Sequence, residues 1–108
     1  IYYFEAAVGK GLPPQSKADP VGFFHGRSSD DREFELTTEV RSGEVILVPH
    51  GWHGPAMAQP GYDLYFMNVM AGPDPDRSWN ITDDPSQGWI RESWSDKDID
   101  PRLPYLNN

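Results

Sequence analysis

The chain has 108 residues, enough for one small domain that buries roughly 65% of the surface its unfolded form exposes. Its net charge of −8 weighs against a nucleic-acid backbone as partner. The absence of cysteine excludes a disulfide scaffold and a thiolate metal site.

Proline and glycine together supply 21 residues, and aromatics reach 13% with four tryptophans, a mixture that suits a loop-rich β protein. Ile1 to Phe4 is aromatic and β-prone, and Glu5 to Val8 extends it. As a strand it puts Tyr2 and Phe4 on one face, with Ile1 and Tyr3 on the other. Gly9 to Pro20 is a loop, with two glycines and three prolines among its residues. Val21 to His25 is a short strand ended by the polar turn Gly26 to Asp31. From Glu33 to Val40 the order is strictly alternating: Phe34, Leu36, Thr38 and Val40 oppose Glu33, Glu35, Thr37 and Glu39. Period-two patterning of this kind marks a strand with one wet face.

Arg41-Ser42-Gly43 leads into Val45-Ile46-Leu47-Val48, a continuous apolar run expected to be a buried strand. Pro49, Gly51, Gly54 and Pro55 break that run and predict a turn holding both His50 and His53. After Pro60-Gly61, Tyr62 to Met70 reads as another strand. The cluster Ala71 to Asp76 ends the patterned part of the chain. Beyond it Trp79, Trp89 and Trp94 stand among Asp, Ser and Pro, with one helical turn expected between Asp84 and Trp94, capped by Asp84 or Ser86. Residues 1–72 are read as one β domain and 73–108 as an extension lying against it through its tryptophans. No apolar run approaches the ~20 residues that span a bilayer, and no leader is visible, which together predict a cytoplasmic protein. A first residue that is Ile, already inside a strand pattern, suggests a piece of a longer protein.

His53 is the residue with the most specific surroundings. Gly43, Pro49, Gly51 and His53 resemble the second motif of the cupin superfamily, G-x5-P-x-G-x2-H, whose histidine binds metal inside a small β-barrel. The chain departs from it by one residue, because only Trp52 separates Gly51 from His53. A closer resemblance covers nearly the whole chain. VPHGWHGPAMAQPGYDLYFMNVMAGP, then RSW, TDDP, WIRESW and DPRLP, are similar to the C-terminal part of the 5-deoxy-glucuronate isomerase family. These are bicupin enzymes of myo-inositol catabolism, related to 4-deoxy-threo-hexosulose-uronate isomerase.

The resemblance implies an all-β, jelly-roll-like cupin barrel, incomplete here, followed by a loop-rich tail. It implies a divalent metal, zinc, held by an H-x-H pair, a Glu and a later His. His53 matches that later His, and the other ligands would stand upstream of Ile1, since the family's Glu precedes the Ile1-Tyr2-Tyr3-Phe4 run. Glu5 comes five residues too late to replace it. His50 sits where the motif tolerates other residues, and His25 has no counterpart, so a surface role is expected. The implied reaction is an aldose–ketose isomerisation of a sugar acid through an enediol. Tyr2, Tyr65 and Asn68 are the candidate substrate contacts, with Arg91 as a carboxylate clamp. Asp63 and Asp84 are candidate acid–base groups, each with a plainer role at a turn or strand end. Oligomeric state stays open at this point, a homo-oligomer being one reading, since cupins commonly associate. The 108 residues alone are expected neither to isomerise sugar nor to hold zinc tightly. Two other readings compete: a metal-free cupin remnant that binds carbohydrate or is structural, and an iron-dependent dioxygenase, which would need a full set of His and carboxylate ligands.

Overall fold

A computed structural model describes residues 1–78 and 80–93. It is all-β, with six strands: β1 (Tyr2–Val8), β2 (Gly22–Arg27), β3 (Glu35–Val40), β4 (Val45–Ile46), β5 (Trp52–Ala58) and β6 (Tyr62–Asn68). They form two antiparallel three-stranded sheets, ordered β4-β1-β6 and β3-β2-β5, which do not close into a barrel. The chain divides into two compact units, Ile1–Pro75 and Asp76–Asn108.

Alternation along β1 decides where the core lies. Tyr2 and Phe4 point between the sheets, and Phe4 is fully buried. Phe24 of β2 meets them, with ring centroids 5.1 Å from Tyr2 and 6.1 Å from Phe4. Val40 and Ile46 complete the cluster, and Leu36, Val48, Ala56 and Leu64 pack around it. The predicted wet and dry faces of β3 are both present, since Glu35, Thr37 and Glu39 are exposed while Val40 is buried.

Two turns owe their shape to glycine. In Gln59-Pro60-Gly61-Tyr62, the Tyr62 amide donates to the Gln59 carbonyl at 3.0 Å and Gly61 has φ +92°, the type II arrangement with Pro and Gly in the two central positions. In Arg41-Ser42-Gly43-Glu44, Gly43 has φ +83° and its amide donates to the Phe4 carbonyl at 2.9 Å, tying the turn to β1.

Two expectations need correction. The run Val45 to Val48 is not a strand buried on both faces. Only Val45 and Ile46 pair with β1, β4 is a sheet edge, and Val45 and the following Leu47 are more than half exposed. An uninterrupted apolar sequence does not reveal that one face of its sheet is left open.

The segment read as a turn holding both histidines is a strand over most of its length. Trp52 to Ala58 pairs with β2 despite Gly54 and a cis Gly54–Pro55 bond. The ladder tolerates them through a bulge: Phe24 pairs with Ala56 and Gly26 with His53, so β5 carries one residue more than β2 in that interval.

In the second unit a 3-10 helix spans Gly88–Ser93. Asp84 precedes it as expected, accepting from the Ser86 amide at 2.8 Å through its carboxylate and from the Gly88 amide at 2.9 Å through its carbonyl. Trp89 is exposed. Trp79, Trp94 and the DPRLP motif lie outside the described residues.

Candidate functional site

The bulge in β5 has a direct effect on His53. Gly26 and Phe24 share the inner face of β2, so their partners His53 and Ala56 both face inward as well. From there His53 reaches Tyr2, and its Nδ1 lies 2.5 Å from the Tyr2 hydroxyl. The two rings stand 5.6 Å apart and 60° from coplanar. Tyr2 is itself wedged against Phe4, Phe24 and Phe66, so its hydroxyl has little freedom to move.

Around this pair is a cavity of about 350 Å³, whose walls include Tyr2, Val48, His50, His53, Asn68 and Met70. Asn68 arrives through register, because it pairs with Tyr2 across β1 and β6. His50 lies in the segment between β4 and β5, with its ring edge-on to Phe34 at 5.9 Å. Its Nδ1 is buried and meets no hydrogen-bonding partner among the described residues. A larger hollow of about 590 Å³ lies beside Arg27, Glu33 and Glu35, but none of the histidines lines it.

Burial pushes the His53 imidazole below its ordinary value, and the Ile1 ammonium adds to that effect. Burial also raises the Tyr2 phenol. Both effects favour neutral side chains at neutral pH.

Within the first unit, the other candidates stand elsewhere. Tyr65 pairs with Glu5 on the outer face of the β4-β1-β6 sheet, opposite to the face that carries Tyr2. Glu5 accepts a hydrogen bond from the Tyr3 hydroxyl on that outer side. Asp63 accepts from the Lys10 amide at 2.9 Å. His25 bonds Glu35 at 3.1 Å in an exposed pair, the surface role expected of it. Arg91 belongs to the second unit, where it donates to both carboxylate oxygens of Asp83 at 3.1 Å.

The comparisons with known proteins bear on this site. A family model described as KduI/IolB matches residues 1–90. The chain belongs to the KduI/IolB family. Its curated relatives include a protein named 5-deoxy-glucuronate isomerase from Geobacillus thermodenitrificans, 48% identical over 65 residues, which are 60% of this chain and 23% of the relative. A protein of the same name from Bacillus subtilis subsp. natto is 36% identical over 91 residues, 84% of this chain and 29% of the relative. Another from Listeria monocytogenes serotype 4b is 42% identical over 64 residues, 59% of this chain and 22% of the relative. The chain thus spans about a quarter of the length of the curated relatives it matches. No solved structure matches it.

A KduI/IolB protein read as a cupin implies a metal, and the donors can be tested against that. His53 has its Nδ1 engaged by Tyr2, which leaves Nε2 as the ring nitrogen open to another partner. His50 lines the same cavity with a polar atom unsatisfied. Among the described residues, however, no three of His, Cys, Asp or Glu gather as a metal-binding group, whereas zinc takes three or four protein ligands. The described residues therefore do not make up a metal site by themselves.

The Tyr2–His53 pair was not legible as a pair in the sequence. Alternation along β1 was enough to turn Tyr2 inward, but the inward turn of His53 depends on the β5 bulge.

Proposed function

We propose that this chain is the C-terminal part of a sugar-acid aldose–ketose isomerase, interconverting 5-deoxy-glucuronate and 5-dehydro-2-deoxy-gluconate in inositol catabolism. The observation that carries the reading is the KduI/IolB match over residues 1–90, with relatives named 5-deoxy-glucuronate isomerase at 36% and 48% identity. The inward-facing histidine, on a largely apolar cavity that also carries His50 and Asn68, is consistent with it.

Such an isomerisation moves a hydrogen between neighbouring carbons through an enediol, and so needs a base and a polarised carbonyl oxygen. A divalent metal, zinc in our reading, supplies that polarisation when bound. The contribution of this chain is His53, whose Nε2 is the ligating atom. The remaining ligands in this reading are an H-x-H pair and a Glu upstream of Ile1. Asn68, on the wall beside His53, offers an amide to sugar hydroxyl groups. The outer-face position of Tyr65 gives it no such contact with the cavity. The protein acts in the cytoplasm in this reading; no helix among the described residues is long and apolar enough to cross a membrane.

The test is His53→Ala in the longer protein of the relatives' length. Loss of bound metal together with a turnover loss of more than about 10-fold is expected, since removing even an outer-shell partner of a ligand costs that much. Metal content and turnover both unchanged would take His53 out of the site, whereas a longer protein with neither metal nor turnover before the substitution would favour the metal-free carbohydrate-binding module.

A further inference from the structure

The hydroxyl of Tyr2 was read from sequence as a substrate contact, yet the structure gives it a different neighbour. It meets His53 Nδ1 at 2.5 Å, a short contact for an oxygen and a nitrogen. Tyr2 is 7% exposed and its ring is held by three phenylalanines, so the hydroxyl is fixed while the imidazole is the more open partner.

We propose that Tyr2 is a positioning residue for His53: its hydroxyl holds the imidazole by Nδ1, so that Nε2 is the nitrogen presented to the cavity. An imidazole on a strand can turn about its χ2 torsion and offer either nitrogen. The hydrogen bond made by one ring nitrogen determines the proton state of the other. When Tyr2 donates to Nδ1, the neutral ring carries its proton on Nε2 and offers a donor to the cavity. When Nδ1–H donates to the Tyr2 oxygen, Nε2 is bare and can act as a ligand or a base. A phenol can do either, because it is both donor and acceptor. The pair therefore fixes the direction of the ring in both states, and the proton follows what Nε2 meets. Phenylalanine at position 2 would keep the packing and lose the hold.

This inference rests on the proposed function only for the use made of Nε2; the pairing itself is a property of the chain. Its test is accordingly made on the 108-residue chain without metal, by long-range proton–nitrogen correlation of the histidine ring nitrogens. One tautomer of His53 is expected to dominate, with His25, bonded to exposed Glu35, as internal comparison. In Tyr2→Phe, with the amide spectrum otherwise preserved, the two His53 nitrogen signals should move toward the averaged values of an exchanging ring. Unchanged His53 nitrogen shifts in that variant would overturn the proposal. Should Tyr2→Phe fail to fold, the bridging proton of the unaltered chain still decides it. A slowly exchanging resonance downfield of the amides, correlated to the His53 ring, is expected, and a freely exchanging His53 ring there would also overturn it. If the shifts move as expected but His53→Ala leaves the metal of the longer protein in place, the pairing stands and the isomerase reading falls.

Discussion

A Cβ built on Gly51 would stand 2.4 Å from the carbonyl oxygen of Arg27. The backbone there has φ +94°, a conformation that costs a side-chain-bearing residue roughly 1–2 kcal/mol before any clash is counted. The close approach brings the chain out of the segment after β4 and into β5 beside the last residue of β2, which itself pairs with Trp52. His53 follows two residues later.

Gly51→Ala should therefore destabilise the chain by about 2 kcal/mol or more, since backbone strain and a backbone clash add at one position. Urea unfolding measures it, with the midpoint lowered and the slope retained. A change below about 0.5 kcal/mol would mean that the turn relaxes around a methyl group at little cost.

Phe4 and Leu47 test where the core lies. Both are large apolar residues in apolar stretches of sequence, but Phe4 is fully buried and Leu47 is 67% exposed. Phe4→Ala should cost about 3–5 kcal/mol, while Leu47→Ala should stay within about 0.5 kcal/mol. Equal losses would show that the outer face of β4 is covered in solution.

The lowered pKa of His53 gives a pH dependence of defined sign. The unfolded chain binds the His53 proton at its ordinary value of 6.5, and the folded chain binds it only at lower pH. Between those two values the unfolded state holds more protons, so stability falls as pH drops through 6.5 toward the folded value and is unaffected by this group above it. A proton NMR titration of the ring should give a midpoint below 6.5, and His53→Gln should remove that part of the acid destabilisation. A midpoint at or above 6.5 would contradict the burial assigned to the imidazole.

Much of the fold could be read from residue patterns, and the misreadings share a cause. The alternation of Glu33 to Val40 and of Tyr2 and Phe4 is a local property of one strand facing one core, and it was legible. The exposure of Val45 and Leu47 depends on what stands beyond the sheet edge, which no local pattern encodes. Pro49 to Pro55 reads as a turn because Gly51, Gly54 and the two prolines are strong local breakers, yet from Trp52 onward the segment is strand. Its pairing with β2 is a tertiary effect that overrides them. The site divides in the same way. His53 and Asn68, both candidates from sequence, line one cavity, whereas the neighbour of the Tyr2 hydroxyl is 51 residues away and appears only once two sheets face each other.

The bulge in β5 also makes the site sensitive to register. From His53 to Ala56 the count is odd, while from Gly26 to Phe24 it is even, and only the mismatch lets both β5 side chains turn inward. Regular pairing of the same residues without the bulge would require one of the two side chains to turn out. If Ala56 kept its place, the core would survive and His53 would face solvent. If His53 kept its place, the imidazole would stay beside Tyr2 while the strand beyond it turned its core side chains outward. A slip of register by a single residue would thus separate folding from the site, two properties that the bulged strand holds together.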